Sequence, residues 1–309
     1  MKIVALEPFL AELAVSFDLT ADIVGVSHRS TYPEKLKECR VVTRDPKGTP
    51  VTLSHDEVLL TEIKTVTPDI ILTRFPDKVG GELFDEKKYD LQEQKRREME
   101  EVLQEDFNYG IKLKVYNPRT LEGVYQMYQQ LAKDLAVPAM GIKIYNLVKA
   151  QIQCWTSSFY ERVHNKRVTI LSSIAPLKLA ALWIPDIIRL TSAISQAETT
   201  GRGNYEVEWS DILSFRPDVI IIAPEGMNVE DSARSFKVLE EFPYWEDIPA
   251  VKRGEVYFTN GTTFYTPSYR ILNAAGIIIS AIAGLESGYI TSRNDFYKLR
   301  WLELQRHKF

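Results

Sequence analysis

The sequence is poor in cysteine and histidine, and it lacks a long apolar run. Its two cysteines, Cys39 and Cys154, are too few for a disulfide framework and fit reduced thiols. Only four histidines occur, and only His28 lies at the end of a predicted strand, so a histidine-rich metal site is not expected. No stretch approaches the roughly 18 consecutive apolar residues that a membrane span requires. The longest apolar runs therefore fit core elements.

Common catalytic and nucleic-acid-binding signatures are also absent. The chain has no Walker-type phosphate loop, no Gly-x-Ser-x-Gly elbow and no His-Glu-x-x-His motif. Its Gly201-Arg202-Gly203 segment is too short for a phosphate cradle and reads as a flexible loop. The formal net charge of −4 gives no global positive field that would attract nucleic acid. We therefore expect no catalytic residues, no cofactor, no resident metal and no nucleic-acid partner. We also expect the protein to be a monomer.

The amino terminus bears on localisation. Met1-Lys2 leads directly into residues 3–6, which have strand character, and Pro8 follows. A secretory signal needs a charged start, a longer apolar stretch and a cleavage site, and there is no room for one. The chain as it stands is expected to be cytoplasmic; the alternative is a periplasmic or extracytoplasmic protein whose signal has been removed.

An internal repeat gives the clearest indication of the fold. Residues 62–74 are echoed by residues 211–223: in each, a short helical segment ends at Pro-Asp and an apolar strand begins at once. A strand that is apolar on both faces belongs to a parallel sheet covered by helices. The repeat predicts an α/β protein with two Rossmann-like lobes, each built on a parallel sheet.

A long amphipathic segment separates the two halves. Apolar residues recur every three or four positions from Met140 to Val163, which predicts a helix about 37 Å long between Ala139 and Val163. The expected organisation is an N-terminal lobe over 1–137, a linking helix over 138–166 and a C-terminal lobe over 167–309. The charged stretch 86–106 is expected to be an inserted, solvated helix. Residues 295–309 are expected to form an extra helix that packs on the body.

The candidate binding residues follow the predicted strands. In open parallel sheets, ligands bind beyond the carboxyl ends of the strands. The loops there carry aromatic residues and single polar groups, which suits a cleft for a sizeable, partly apolar small molecule. Structural roles are the alternative for these residues: some of the aromatics pack in the interface between the lobes, and the arginines brace the walls of the cleft. A lone histidine is more often a hydrogen-bonded loop residue than a metal ligand. The predicted ligand contacts are Phe9, His28, Tyr32, Arg74, Phe75, Arg119, Trp183, Glu225, Phe264 and Tyr265.

Several segments resemble the helical-backbone (class III) substrate-binding proteins of ABC importers, in particular the cobalamin-binding-protein-like branch. They are residues 3–12, the Gly-Val-Ser-His…Tyr-Pro loop at 25–33, and segments 117–122, 176–186, 216–224, 248–257 and 267–270. The resemblance implies a cobalamin-type or iron–siderophore ligand in the cleft between the lobes. We predict that Trp183 and Tyr265 lie on opposite walls of this cleft and contact the ligand. It also implies an ABC permease as partner.

The docking carboxylates and the departures from the family pattern qualify this implication. Glu62 matches the first permease-docking carboxylate, whereas the second falls near Ser210, with Glu208 and Asp211 beside it. Ala181-Leu182-Trp183 stands where the branch has Gly-His-Trp, and Pro267-Ser-Tyr-Arg270 where it has Pro-Gly-Pro-Arg. The ligand therefore stays open among cobalamin, another corrinoid and a siderophore. The alternative function is a cytosolic sensor, store or carrier that works without a permease.

Overall fold

The computed structural model describes residues 1–44, 57–58, 60–74, 110–198, 201–292 and 295–299. The chain divides into two compact units. Unit 1 comprises Met1–Pro118 and Gly123–Tyr145, and unit 2 comprises Arg119–Glu122 and Asn146–Phe309. The inserted segment predicted over 86–106 lies outside the described residues.

Unit 1 is built around a parallel sheet whose strands lie in the order Arg40–Val41 (β3), Ile23–Val26 (β2), Ile3–Ala5 (β1), Ile70–Thr73 (β6) and Lys112–Val115 (β7). Strands β1 and β6 are buried at every position, as expected for a parallel sheet that is covered by helices on both faces. The elements from the amino terminus are β1 (Ile3–Ala5), α1 (Pro8–Ser16), β2 (Ile23–Val26), β3 (Arg40–Val41), β4 (Thr43–Arg44), β5 (Glu57–Val58), α2 (Leu60–Val66), β6 (Ile70–Thr73), β7 (Lys112–Val115), α3 (Leu121–Asp134) and α4 (Pro138–Ser158).

Unit 2 contains a mixed sheet whose strands lie in the order Tyr205–Glu206 (β11), Leu177–Leu179 (β9), Arg167–Ile174 (β8), Val219–Ile222 (β12), Val256–Thr259 (β13) and Phe296–Lys298 (β14). A further strand, Ile194–Ser195 (β10), pairs with β8. Its centre is parallel, while β9, β11 and β14 pair antiparallel. Its elements are α5 (Tyr160–Val163), β8 (Arg167–Ile174), β9 (Leu177–Leu179), α6 (Ile184–Leu190), β10 (Ile194–Ser195), β11 (Tyr205–Glu206), α7 (Trp209–Phe215), β12 (Val219–Ile222), α8 (Val229–Arg234), α9 (Phe236–Glu240), α10 (Pro249–Lys252), β13 (Val256–Thr259), α11 (Gly261–Phe264), α12 (Ile271–Ala283) and β14 (Phe296–Lys298).

The predicted α/β class with two units and a long connecting helix is confirmed. The second sheet was predicted to be parallel, but it is mixed, because β9, β11 and β14 pair antiparallel with their neighbours. The extra helix predicted from residue 295 is not formed at its start, because Phe296–Lys298 is a strand that pairs antiparallel with β13. Phe296 is buried and packs edge-on against Tyr257 at a centroid distance of 5.4 Å. The rest of the predicted helix, from residue 300, lies outside the described residues. No helix in the described part of the chain has both the length and the apolar character that crossing a bilayer requires.

The internal repeat corresponds to one local device that is built twice. In unit 1 the Asp69 carboxylate accepts the backbone N–H of Lys2 at 2.6 Å, while the Asp69 N–H donates to the Lys2 carbonyl at 2.9 Å. In unit 2 Asp218 makes the same pair of bonds with Arg167, at 2.9 and 2.8 Å. Each aspartate therefore fixes the start of a central strand against its neighbour, which explains why Pro-Asp recurs.

The residue before each Pro-Asp ends its helix in the left-handed region. Thr67 has φ of 46° and Arg216 has φ of 53°. Their N–H groups donate to the carbonyls of Ile63 at 3.1 Å and Ile212 at 3.0 Å. Bonds of this kind satisfy carbonyls that a helix end would otherwise leave open. The chain then reverses directly into the buried strand.

Helix α4 begins in unit 1 and ends in unit 2. It is 21 residues long and ends at Ser158, before the predicted end at Val163, because Phe159 interrupts it and the short α5 follows. Val148 and Ile152 are fully buried on its predicted apolar stripe, whereas Leu147 is 50% exposed. Near its start, Gly141 permits close packing in unit 1, since a Cβ there would meet the Tyr128 carbonyl oxygen at 2.6 Å.

Candidate functional site

The carboxyl edge of the unit 1 sheet carries the first group of candidate residues. Arg74 follows β6 and is half-buried, and its Nε donates to the Asn117 side-chain oxygen at 3.1 Å just beyond β7. An arginine placed in this way can bind a carboxylate, a phosphate or an amide oxygen.

His28 follows β2 at the same edge and is held by Thr43 of β4. Its Nδ1 lies 2.8 Å from the Thr43 hydroxyl oxygen, and its backbone N–H donates to that oxygen at 3.0 Å. Thr43 is buried and donates to the Ser27 hydroxyl at 3.2 Å. No partner for His28 Nε2 is found among the described residues.

The other unit 1 candidates differ in accessibility. Tyr32 is 46% exposed, whereas Phe9 in α1 is only 4% exposed and belongs to the core. Glu7 and Glu12 at the same edge are buried. Phe75 lies outside the described residues. Tyr32 is therefore the aromatic of this edge that is open to a ligand in the described chain.

The carboxyl edge of unit 2 brings Glu225 together with a residue that the sequence did not suggest. The exposed Glu225 follows β12, and its carboxylate accepts from the Asn204 side chain at 2.7 Å. The Asn204 side-chain oxygen in turn accepts the Ala181 N–H at 2.8 Å. Asn204 thus joins three loops of one sheet edge. Its sequence signal, the residue after Gly201-Arg202-Gly203, was too weak to separate a structured loop from a flexible one.

Tyr265 lies beside this group and follows α11. It is half-buried, and its hydroxyl donates to the Ala223 carbonyl at 3.0 Å. Burial raises the pKa of Tyr265 well above its ordinary value, and the negative charge of Glu225 raises it further. Tyr265 is therefore a neutral side chain that can offer a ring face to a ligand over the physiological pH range.

Two further aromatic candidates of unit 2, Trp183 and Phe264, are fully buried. Trp183 Nε1 donates to the Phe264 carbonyl at 3.3 Å. Trp183 caps the start of α6 and Phe264 ends α11. The expectation that Trp183 lines a ligand-binding wall is not met by its position, because a side chain with no exposed surface has no face to offer in this conformation.

Arg119 is grouped with unit 2, although it lies in the N-terminal half of the sequence. It donates to the Gly201 carbonyl at 2.7 Å. The next residue in that loop, Arg202, lies over the ring of Tyr205 at 4.3 Å from its centroid. The loop that contains Asn204 is therefore braced by two arginines, which keeps Asn204 in register with Glu225.

The predicted docking carboxylates lie on α2 and at the start of α7. Glu62 is partly exposed and forms an ion pair with Arg40 at 2.5 Å. In unit 2, Ser210 occupies the predicted position and is exposed. The Asp211 carboxylate beside it accepts the Glu208 N–H at 2.9 Å, so this acid is engaged in capping its own helix.

The opposite, amino-terminal edge of the unit 2 sheet holds an open pocket of about 320 Å³. Its charged groups already have partners. Arg253 donates to Asp218 at 2.7 Å. Lys166 donates to the Ile282 carbonyl at 2.7 Å, and Glu255 accepts from Lys298 at 2.8 Å. We read this pocket as a structural ion-pair cluster, and the ligand-binding candidates stay at the carboxyl edges.

The described residues contain no group of three or more histidine, cysteine, aspartate or glutamate side chains that could hold a metal ion. The chemistry on offer is hydrogen bonding, charge and aromatic contact. The described carboxyl edges thus combine accessible polar groups with a few open rings. Such an arrangement suits recognition of a small molecule.

Comparison with known proteins agrees with this reading. Residues 3–262 match the periplasmic binding protein family. One relative is the vitamin B12-binding protein of Vibrio campbellii (strain ATCC BAA-1116), which is 21% identical over 274 residues that cover 88% of this chain and 86% of that protein.

Similar solved structures include the periplasmic vitamin B12 binding protein BtuF of Vibrio cholerae, with a TM-score of 0.62, 18% identity and coverage of 91% of this chain and 96% of that one. Another is S. aureus IsdE complexed with heme, with a TM-score of 0.66, 18% identity and coverage of 91% and 98%. At these identities the likeness concerns the fold alone. The resemblance to substrate-binding proteins of ABC importers is confirmed. Since the family match spans most of its length, the chain belongs to the periplasmic binding protein family.

Proposed function

We propose that this chain binds a small metal chelate of the cobalamin or iron–siderophore class and presents it to an ABC importer. The family match over residues 3–262 carries the proposal. The ligands of similar proteins, vitamin B12 for the Vibrio campbellii protein and heme for IsdE, support the ligand class. Both ligands are large, rigid, partly apolar molecules with polar groups at their rims.

The accessible residues of each carboxyl edge, taken by itself, suit such a molecule. Arg74 supplies a cation for rim carboxylates or amide oxygens. Glu225, oriented by Asn204, accepts from rim N–H groups. Tyr265 and Tyr32 offer rings to the apolar body. We assign Trp183, Phe264 and Phe9 to packing, because all three are buried.

Delivery to a permease would use Glu62. An exposed ion pair such as Arg40–Glu62 contributes about 0–1 kcal/mol. A permease arginine can therefore replace Arg40 at little cost, and Arg40 keeps the carboxylate oriented until then. The family resemblance assigns Glu62 this role, and its partial exposure on α2 is compatible with it.

A binder that works without a permease is the second candidate, and one observation favours it. At the second docking position the chain has Ser210, and the adjacent Asp211 carboxylate is bonded to the Glu208 N–H. Glu62 can exchange its surface partner Arg40 for a permease arginine, whereas Asp211 is held by its own helix end. This version keeps the same ligand class and the same contacts.

The test begins with native mass spectrometry of freshly purified protein and continues with fluorescence titrations of cyanocobalamin, haemin and a ferric siderophore. We expect at least one to bind. Affinity should fall with added salt, and less steeply in Arg74→Gln, because one charge contact is lost. Arg234→Gln, an exposed arginine paired with Asp231, is the matched control and should behave as wild type. Failure of all three chelates to bind would refute the proposed ligand class.

A further inference from the structure

The loop that follows β12 in unit 2 holds Glu225 in place through its backbone. The Glu225 N–H donates to the Ser172 carbonyl at 3.1 Å, and the Met227 N–H donates to the Pro224 carbonyl at 3.2 Å, which closes a turn. On the other side, the Gly261 N–H donates to the Met227 carbonyl at 3.0 Å. A Cβ at Gly261 would collide with the Pro224 carbonyl oxygen, so this close approach requires glycine. The backbone of Glu225 is therefore fixed, although the residue is exposed.

The hydrogen bonds of Asn204 determine how the Glu225 carboxylate is presented. The Ala181 backbone N–H can only donate, and it donates to the Asn204 side-chain oxygen at 2.8 Å. The amide nitrogen of Asn204 must therefore face Glu225, to which it donates at 2.7 Å. An ionised carboxylate only accepts hydrogen bonds, and it has about four lone pairs with which to do so. Glu225 thus places acceptor positions in a fixed orientation at the carboxyl edge.

The loop does not depend on the Glu225 side chain for its own structure. The backbone bonds from Ser172 and Gly261 would remain with alanine at position 225. Holding an exposed glutamate in one orientation costs side-chain entropy. Such a preorganised group loses less freedom when a ligand binds, and the carboxyl edge of a parallel sheet is where ligands bind. Ligand recognition therefore explains the fixed side chain better than loop bracing does.

We propose that Glu225, held by Asn204, sets the charge selectivity of the unit 2 edge. Its carboxylate accepts a hydrogen bond from an amide N–H or an ammonium group of the bound chelate, and it excludes a carboxylate from that position. A ligand carboxylate there would lose the hydrogen bond and face a like charge. Asn204 acts through Glu225 as a positioning residue. The inference rests on the proposed function and narrows its ligand to chelates with hydrogen-bond donors on the side that faces unit 2.

The test uses two matched pairs of chelates. Cyanocobalamin, whose rim carries amides, is compared with its monocarboxylic acids, in each of which one amide has become a carboxylate. Ferrioxamine B, which ends in an ammonium group, is compared with its N-succinyl derivative, which ends in a carboxylate. Affinities are measured by fluorescence titration for wild type, Glu225→Gln and Asn204→Ala. Glu246→Gln makes the same substitution at another exposed glutamate of unit 2 and is the matched control.

We expect wild type to bind the donor form of a chelate about 10-fold more tightly than an acid form, as expected for one hydrogen bond to a charged group. Added salt should reduce this ratio. Glu225→Gln should bring it below about 3-fold, because a neutral amide both donates and accepts. Asn204→Ala should also lower the ratio, whereas loss of a merely structural asparagine would weaken both forms equally. Glu246→Gln should keep the wild-type ratio.

The outcomes separate the inference from the proposed function. If wild type binds either chelate without preferring its donor form, or if Glu225→Gln keeps the full preference, charge selectivity at Glu225 is overturned and the chelate-binding function stands. Binding of haemin alone, whose rim offers carboxylates and no N–H donors, has the same consequence. Absence of binding to every probe overturns both. Circular dichroism checks the folding of each variant, and Glu225→Gln, at an exposed position, decides the question if Asn204→Ala does not fold.

Discussion

Replacing Trp183 with alanine separates a packing role from a ligand-contact role. The side chain is fully buried, and its Nε1 donates to the Phe264 carbonyl. Loss of a buried tryptophan costs about 3–5 kcal/mol through lost contacts and the cavity left behind. The carbonyl that loses its donor adds about 1 kcal/mol. Since whole domains are stable by only about 5–15 kcal/mol, Trp183→Ala should remove about a quarter or more of the stability of unit 2.

Equilibrium unfolding in guanidinium chloride, followed by circular dichroism, measures this loss. Trp183→Phe keeps most of the ring volume and should cost about 1–2 kcal/mol. Ligand titrations without denaturant and at low temperature, where each variant remains folded, should give affinities near that of wild type. If Trp183→Ala unfolds within about 0.5 kcal/mol of wild type and yet binds ligand several-fold more weakly, the packing role is refuted and the residue contacts ligand.

Three further outcomes follow from the described contacts. Glu62→Ala should lower importer-dependent uptake of the ligand at least several-fold without changing the affinity of the protein for that ligand, and Glu34→Ala, whose side chain is 90% exposed, is the control that should change neither. Unaltered uptake in Glu62→Ala would favour a binder that works without a permease. Burial and the nearby negative charge raise the pKa of Tyr265, so the stability contributed by its neutral hydroxyl is complete below the unfolded-state pKa of about 10 and decreases as the pH rises above that value. Urea unfolding midpoints measured at about pH 8 and pH 10.5 should therefore differ less in Tyr265→Phe than in wild type. Asp69→Ala and Asp218→Ala should each lower the free energy of unfolding in urea by about 1.5–3 kcal/mol, because each removes the charged acceptor of a backbone N–H at the start of a strand. The asparagine variants keep an acceptor oxygen and should lose less, so equal stability of the alanine and asparagine variants would contradict this role.

The sequence predicted the fold well where one local rule decides both chain direction and burial. The Pro-Asp repeat is such a case, because it ends a helix, starts a strand and carries the carboxylate that clamps that strand. The long helix was predicted from its stripe, but its end was not. Phe159 continues the apolar spacing even though its backbone, with φ of −114° and ψ of 12°, leaves the helix. Side-chain periodicity does not register such a break.

The tail shows a different limit of local patterns. Residues 296–299 carry apolar side chains at helical spacing, yet Phe296–Lys298 joins the sheet as an edge strand. The pairing with β13 decides this outcome, and the partner residues Tyr257–Thr259 lie about 40 positions earlier in the chain. A short apolar segment can serve either structure, so the available edge strand determines which one forms.

In the candidate site, strand order determines where each loop lies, whereas packing determines which of its side chains are exposed. A strand end determines where a loop lies, and so Arg74, His28 and Glu225 could be placed at the carboxyl edges from the sequence. Whether a side chain in such a loop is open or buried depends on contacts from distant segments, as Trp183 and Phe264 demonstrate across 81 positions. The polar partners that orient the accessible groups are equally remote: Thr43 is 15 positions from His28, and Asn204 is 21 from Glu225. Sequence patterns therefore place the loops but do not reveal orienting residues such as Thr43 and Asn204, which have no sequence signature of their own.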